Sequence, residues 1–219
     1  MVSKETFQAG AVCVGTIVVA MIGHFVWQSD WLEVFSFVTA VVGIYFLAIE
    51  VIWGWPIAIA SSGAYAFFFF QGKLYADMSL NLFYCGILIH GWWSWRRNPN
   101  LGIGLLVSRL SRTGWVWVTV ALGVGMAAYL PIIQYFKGAS PLADSSLAVA
   151  SYVSQYLQNR KFIENWWCWI IVNAGYLALY FSRNYYLTSV LSLVLIVLSV
   201  VGHKHWSQSL RDQHLPTES

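Results

Sequence analysis

Trp166, Trp169, Asn173, Tyr176 and Tyr180 recur at intervals of three and four, a spacing that sets all five on one face of a helix. The face is an aromatic surface with one amide in it. Gln155, Gln158 and Asn159 bring three more amides just upstream, and Asn81 with Tyr84, three apart, repeats the combination elsewhere in the chain. Aromatic faces attract a delocalised positive charge, and amides both donate and accept hydrogen bonds. Residues of these types suit reversible binding of an uncharged or delocalised aromatic solute that carries an amide and hydroxyls. A structural reading competes: Trp166 and Tyr180 could belong to interfacial aromatic belts, with Asn173 bridging helices. The amides at 155, 158 and 159 weigh against it, because each is costly when it faces lipid.

Covalent chemistry finds no comparable set. Cys13, Cys85 and Cys168 are far apart inside apolar stretches and read as small core residues. His203 and His205, two apart, would point to different faces of a helix, a poor start for a metal site. His24 and His90 fall near the ends of apolar segments and read as interfacial. Without a histidine–carboxylate cluster or a glycine-rich phosphate loop, the sequence leads us to expect no catalytic residue, no metal and no cofactor.

The elements that must position these side chains are membrane helices. The 219 residues are 58% hydrophobic and only 10% charged, with a mean hydropathy of +0.62, too little polar surface to cover a soluble globule. Eight apolar segments can be marked, at 8–27, 31–50, 53–70, 78–95, 114–135, 145–159, 164–181 and 186–206. Runs such as Val190 to Val201 are apolar on every side, which excludes the alternating strands of a barrel and predicts an all-α integral membrane protein with eight transmembrane helices. Segment 145–159 is the least apolar. The first segment follows Met1 to Phe7, with one Lys and one Glu, and no small-x-small pattern follows Trp27, so it is expected to stay as a helix rather than be cleaved as a signal.

Eight spans put both termini on one side, with Lys4, Arg96, Arg97, Arg109, Arg112, Arg160, Lys161, Lys204 and Arg211, against Lys73, Lys137 and Arg183 opposite. By the positive-inside rule the termini and the connection 96–113 are expected in the cytoplasm. The net charge of +3 then reflects topology, and no nucleic-acid partner is expected.

An internal repeat organises the chain. At an offset of 111 residues, Trp55 matches Trp166, Ile59 matches Ile170, Tyr65 matches Tyr176, Phe70 matches Phe181 and Tyr75 matches Tyr186. Leu80 with Leu191, Leu82 with Leu193, Gly91 with Gly202 and Trp95 with Trp206 continue the register. The offset aligns 31–95 with 142–206 and leaves 114–135 as a single connecting span. A three-helix unit copied directly would land inverted, and one extra span restores its orientation. The expected architecture is therefore a SWEET-like three-plus-one-plus-three core of parallel repeats with an extra N-terminal helix, and a binding site between the repeats near the midplane. The units are 1–30, the extra helix; 31–95, the first repeat; 96–141, loop and linker helix; 142–206, the second repeat; and 207–219, a cytoplasmic tail.

The stretch Leu74-Tyr75-Ala76-Asp77-Met78-Ser79-Leu80-Asn81-Leu82-Phe83-Tyr84, with Gly91-Trp92-Trp93-Ser94-Trp95 beyond it, resembles the signature of the PnuC nicotinamide riboside transporters. Arg160-Lys161-Phe162-Ile163-Glu164-Asn165-Trp166-Trp167-Cys168-Trp169, with Asn173 one turn on, is similar to that family's other characteristic block; the likeness covers about residues 31 to 206. It implies a bacterial inner-membrane carrier of nicotinamide riboside, a homotrimer working by facilitated diffusion, with uptake completed by phosphorylation in the cytoplasm. Relatives carry thiamine or riboflavin. A non-transporting membrane scaffold is the alternative of another class. On this resemblance Trp166 and Trp169 lie near the pyridinium ring, while Asn173, Gln155 and Asn81 serve the carboxamide and ribose; Tyr176, Gln158, Asn159 and Tyr84 complete the candidate site.

Placement of charge bears on energetics. Glu33, Glu50, Asp77, Asp144 and Glu164 all fall near the ends of segments, so no mid-span carboxylate is available to couple transport to an ion. Glu164 is expected to stabilise the start of its helix. Phe67 to Phe70 read as lipid-facing packing. Trp53-Gly54-Trp55-Pro56 reads as a tight corner with Pro56 in a first helical turn, or else Trp53 closes a cytoplasmic gate.

Overall fold

A computed structural model describes residues 4–96, 105–135 and 140–213. Arg97 and Lys137, both counted in the charge asymmetry, lie outside the described residues. The elements are eight helices: α1 (Lys4–Trp27), α2 (Trp31–Ala48), α3 (Gly54–Gln71), α4 (Tyr75–Arg96), α5 (Arg112–Tyr135), α6 (Pro141–Asn159), α7 (Asn165–Ser182) and α8 (Tyr186–Asp212). By length and composition α2, α5 and α8 are clearly apolar enough to cross a membrane.

Local chemistry explains where the helices depart from the apolar segments. α6 starts four residues before its segment, at Pro141, whose missing N–H costs nothing in a first turn, with Asp144 favoured at the positive end of the helix. α4 begins at Tyr75, again with an acid, Asp77, in its first turn. α8 runs on to Asp212, past the apolar segment that ends at 206, because hydropathy marks the membrane and not the backbone hydrogen bonds. Gly54 opens α3 as the corner reading requires: a Cβ there would meet the Gly43 carbonyl oxygen at 2.7 Å.

The boundaries repeat. α3 and α7, α4 and α8 begin 111 residues apart, and α2 and α6 end 111 apart. Glu50 and Lys161 both sit in the left-handed region, at φ 62° and 55°, as do Lys73 and Asn184 at 57° and 63°. Packing follows suit. α2 lies against α8, and α4 against α6, two contacts that the offset interchanges. α1 covers α2 and α8, while α5 packs on α6 and hydrogen-bonds α4 from Tyr129 to Ser79. The sequence repeat omits α1, yet it holds the place on one seam that α5 holds on the other.

Two glycines show how closely the halves agree. A Cβ on Gly91 would meet Trp55 at 2.3 Å, and one on Gly202 would meet Trp166 at 2.5 Å. The rings of Trp55 and Trp95 meet edge to face with centroids 5.1 Å apart at 80°, and those of Trp166 and Trp206 do so at 5.1 Å and 79°. Both tryptophans behind the glycines are fully buried.

Candidate functional site

A cavity of about 160 Å³ lies among α2, α3, α4, α6, α7 and α8. Its aromatic wall comprises Tyr65, Phe69, Tyr84, Trp166, Trp169, Tyr176 and Tyr180, and its polar groups are Ser61, Ser62, Asn81, Gln155, Gln158, Asn173, Thr188, Ser192 and Ser199. None of the lining side chains is charged.

α7 presents Trp166, Trp169, Asn173, Tyr176 and Tyr180 to the cavity together, as their helical spacing predicts. Trp169 is fixed by α6: its indole N–H donates to Gln158 Oε1 at 3.1 Å. An indole only donates, so that bond orients the amide and turns Gln158 Nε2 the other way, where it is buried with no partner. Asn173 donates to the Trp169 carbonyl and Asn81 to the Asp77 carbonyl, each within its own helix. Neither amide bridges two helices through these bonds. Gln155 lines the cavity and donates to Asn159 Oδ1, and Asn159 donates to the Ile87 carbonyl of α4. Asn159 stands outside the cavity wall and ties α6 to α4. Tyr84 faces Trp169 with ring centroids 6.4 Å apart. Trp53 is 67% exposed on the turn that carries Glu50 and lines no part of the cavity.

Two aromatic rows, each backed by an ion pair, border the cavity. At one end Tyr65, Phe69, Tyr180 and Tyr176 stack in order, with centroid separations of 5.6, 5.9 and 5.3 Å and near-parallel planes. Behind them the Tyr180 hydroxyl donates to Asp77 at 2.8 Å, and Arg183 pairs with Asp144 at 2.6 Å and reaches Asp77 at 3.8 Å. At the other end the row is Trp55, Trp95, Trp206 and Trp166, joined by centroid distances of 5.1, 6.3 and 5.1 Å. Behind it Lys161 pairs with Glu50, which also accepts from the Ser209 hydroxyl at 2.6 Å. Burial alone would push the Glu50 carboxyl up, but the His205 ring 3.6 Å away, the Lys161 ammonium and the Ser209 hydroxyl outweigh it and hold it at about 2.

Some expectations change. Phe69, placed by sequence in a lipid-facing run, is buried in the cavity wall, while Phe67 and Phe70 are exposed; a helix turns 100° per residue, so four consecutive phenylalanines cannot share an environment. Glu164 immediately precedes α7, where its carbonyl accepts from the Trp167 and Cys168 N–H groups and its side chain makes no cap hydrogen bond. Its carboxylate accepts from the Leu110 N–H, and the backbone of Ser108 pairs with Lys161 and Ile163, so the connection between α4 and α5 is strapped across the turn that carries Lys161. Tyr65, Phe69 and Ser62 of α3 join the site without an amide among them to point to it. The repeat could have found them, since they stand 111 residues before Tyr176, Tyr180 and Asn173. Among the described residues, no three His, Cys, Asp or Glu side chains gather as a metal site.

Residues 30–208 match the family model described as nicotinamide mononucleotide transporter. The nicotinamide riboside transporter PnuC of Escherichia coli (strain K12) is 23% identical over 215 residues, covering 85% of this chain and 89% of that one. The riboflavin/roseoflavin transporter RibM of Streptomyces davaonensis is 23% identical over 188 residues, covering 84% and 85%. A crystal structure of the vitamin B3 transporter PnuC superposes with a TM-score of 0.78 at 22% identity, over 94% of this chain and 92% of that chain, which establishes the shared fold.

Proposed function

Because the chain belongs to the nicotinamide mononucleotide transporter family, we propose that this multi-pass membrane protein carries nicotinamide riboside across the bacterial inner membrane by facilitated diffusion, with phosphorylation in the cytoplasm trapping what enters. The observation that carries the reading is the cavity: seven aromatic rings and several amides, with no charged side chain among them. Aromatic faces hold a pyridinium cation once water is removed. Trp166 and Trp169 are assigned to the ring, and Asn173, Gln155, Gln158 and Asn81 to the carboxamide and ribose, with Tyr84 and Tyr176 as walls. Asn159 supports Gln155 from behind. A mononucleotide would bring a phosphate of about −1.5 to −2 charge, and the cavity has no Lys or Arg to receive it. The riboside fits that lining and the mononucleotide does not.

Parallel repeats in a three-plus-one-plus-three core are part of this proposal. Phe69 stacks on Tyr180, Trp95 lies 6.3 Å from Trp206, and Glu50 pairs with Lys161, each residue meeting the one 111 positions later. Equivalent residues meet only on a twofold axis. Such meetings at both ends of the cavity support an axis running along the bundle, as parallel repeats require. Eight spans would set both termini on the side of Lys161, the positive-inside bias supports reading that side as cytoplasmic, and on this reading the turn bearing Trp53 and Glu50 forms part of the cytoplasmic gate. The units 1–30, 31–95, 96–141, 142–206 and 207–219 and a homotrimeric assembly complete the reading. Ligand-induced thermal stabilisation in detergent tests it, since a ligand that binds only the folded protein raises its melting temperature. Nicotinamide riboside is expected to stabilise; nicotinamide mononucleotide, thiamine and riboflavin are not. The RibM relative makes riboflavin the second reading, and stabilisation by riboflavin alone would establish it.

A further inference from the structure

Lys161 is an unusual residue to find against an aromatic wall. Its side chain is 6% exposed, its ammonium lies 4.5 Å from the centre of the Trp95 ring, and it pairs with Glu50. An aromatic face together with a carboxylate is the environment that a delocalised organic cation seeks when it leaves water. The Glu50 carboxylate is already oriented from its other side by the Ser209 hydroxyl.

This pocket is joined to the cavity wall by a row of indoles. Trp95 belongs to the row that begins at Trp166 in the cavity wall and passes through Trp206 to Trp55. All four indole N–H groups of the row are buried without a hydrogen-bond partner. Buried donors are satisfied in nearly every folded protein, so four orphans side by side point to water or solute occupying the row during the working cycle. A ribose, with its hydroxyl acceptors, is a suitable occupant. The backbone of Lys161 is held meanwhile: its N–H donates to the Gln158 carbonyl and its own carbonyl accepts from Ser108. Only the side chain is free to yield.

We infer that the Lys161 ammonium is a tethered stand-in for the solute's own charge, and that Trp95 and Glu50 form a second, exit-side subsite for a planar organic cation. The solute displaces Lys161 from Glu50 as it leaves the cavity. Lys161 loses its carboxylate whichever solute passes, but a cation re-pairs Glu50, whereas an uncharged solute of the same shape would leave Glu50 buried and unpaired as well. Charge selection then resides in the rate of passage as well as in the affinity of the cavity.

The inference rests on the nicotinamide riboside reading, and the test separates the two. Exchange at saturating solute is measured in liposomes clamped at zero potential for nicotinamide riboside and for its uncharged dihydro form, alongside thermal stabilisation of the same samples by nicotinamide riboside. The unaltered protein is expected to exchange the cation faster than the dihydro form by roughly tenfold or more, a ratio of the size that a buried charge pair sets. Lys161→Met removes the stand-in, and that ratio should fall roughly tenfold while stabilisation by nicotinamide riboside persists. Glu50→Gln combined with Lys161→Met leaves neither charge unpaired and serves if the single variant does not fold; the same collapse is expected. An unchanged ratio in a variant that is still stabilised overturns the exit subsite and leaves the cavity as the only selector. Absence of stabilisation in the unaltered protein removes the transport reading, and the exit subsite with it.

Discussion

The two halves of the bundle, α2–α4 and α6–α8, share a backbone and differ in chemistry. Where the second half offers Trp169, Asn173 and Gln155 to the cavity, the first has Ala58, Ser62 and Ile44 at the equivalent positions. Tyr65 and Tyr176, Leu80 and Leu191, Gly91 and Gly202 remain alike. The cavity wall therefore mixes the two kinds: Tyr65 and Tyr176, Leu80 and Leu191 line it alike from both halves, whereas Trp169, Asn173 and Gln155 have no like residue opposite. Small side chains in one half leave room for a ring held by the other. A twofold scaffold thus presents one asymmetric site, as an asymmetric solute requires.

Substitutions at equivalent positions should separate scaffold from site. Gly91→Ala and Gly202→Ala each press a methyl into a buried indole and should destabilise by similar amounts, about 1–3 kcal/mol, the usual range for overpacking. Melting temperatures in detergent check this. Only Gly202→Ala should also weaken solute binding, because Trp166 lines the cavity and Trp55 does not. Equal losses of binding would mean that Trp55 bears on the site as much as Trp166 does.

Next come the solute contacts. Trp169→Ala should weaken nicotinamide riboside binding by about 1–3 kcal/mol, or about 5- to 150-fold, the range for losing a stacked base or a desolvated cation–π contact. Asn173→Leu keeps volume but removes a hydrogen-bonding partner, at about 1–3 kcal/mol. Its first-half counterpart, Ser62→Ala, should cost less than about 1 kcal/mol. Titration calorimetry would rank the three. Normal affinity in the Asn173→Leu variant would make that amide a structural group.

The smallest effect expected is that of pH. The Glu50 carboxyl is held at about 2, below its ordinary 4.5, so ionisation favours the folded protein. Its contribution is fully present above about pH 4.5 and is lost as pH falls toward 2. The Glu50 carboxyl itself should accordingly stay ionised between about pH 5 and 8 and lose its contribution only in acid. Melting curves of the unaltered protein and of Glu50→Gln should diverge above pH 4.5 and converge as pH approaches 2.

Most of the scaffold was legible in sequence because apolar length and a fixed offset are both one-dimensional signals. Eight segments became eight helices, and the offset that joined Trp55 to Trp166 also joins the turns at Glu50 and Lys161. The α7 face was legible for the same reason, since its spacing is a property of one helix. What could not be read depends on meetings between helices. Phe69 was hidden in a run of identical residues, and only packing against Tyr65 and Tyr180 distinguishes it from Phe67. Ser61 and Ser62 matter through the space they leave, for which sequence has no symbol. The place of α1 on the α2–α8 seam and the strap from Ser108 to Lys161 arise from contacts between distant segments. The carboxylates lay at helix ends as expected, but their pairing across the halves, Glu33 with Thr188 and Asp144 through Arg183 with Asp77, appears only in three dimensions.

Passive transport is the central claim, and liposome uptake tests it most directly. An ion-coupled carrier needs a group whose affinity for the ion changes with the carrier's state, and no carboxylate lines the cavity. Because nicotinamide riboside is charged, a membrane potential would bias its distribution by about 2.3 kcal/mol per 100 mV, so the voltage must be clamped at zero. Under that clamp, with a proton or sodium gradient imposed, the internal concentration should rise to the external one and stop. Accumulation beyond that level would contradict the account.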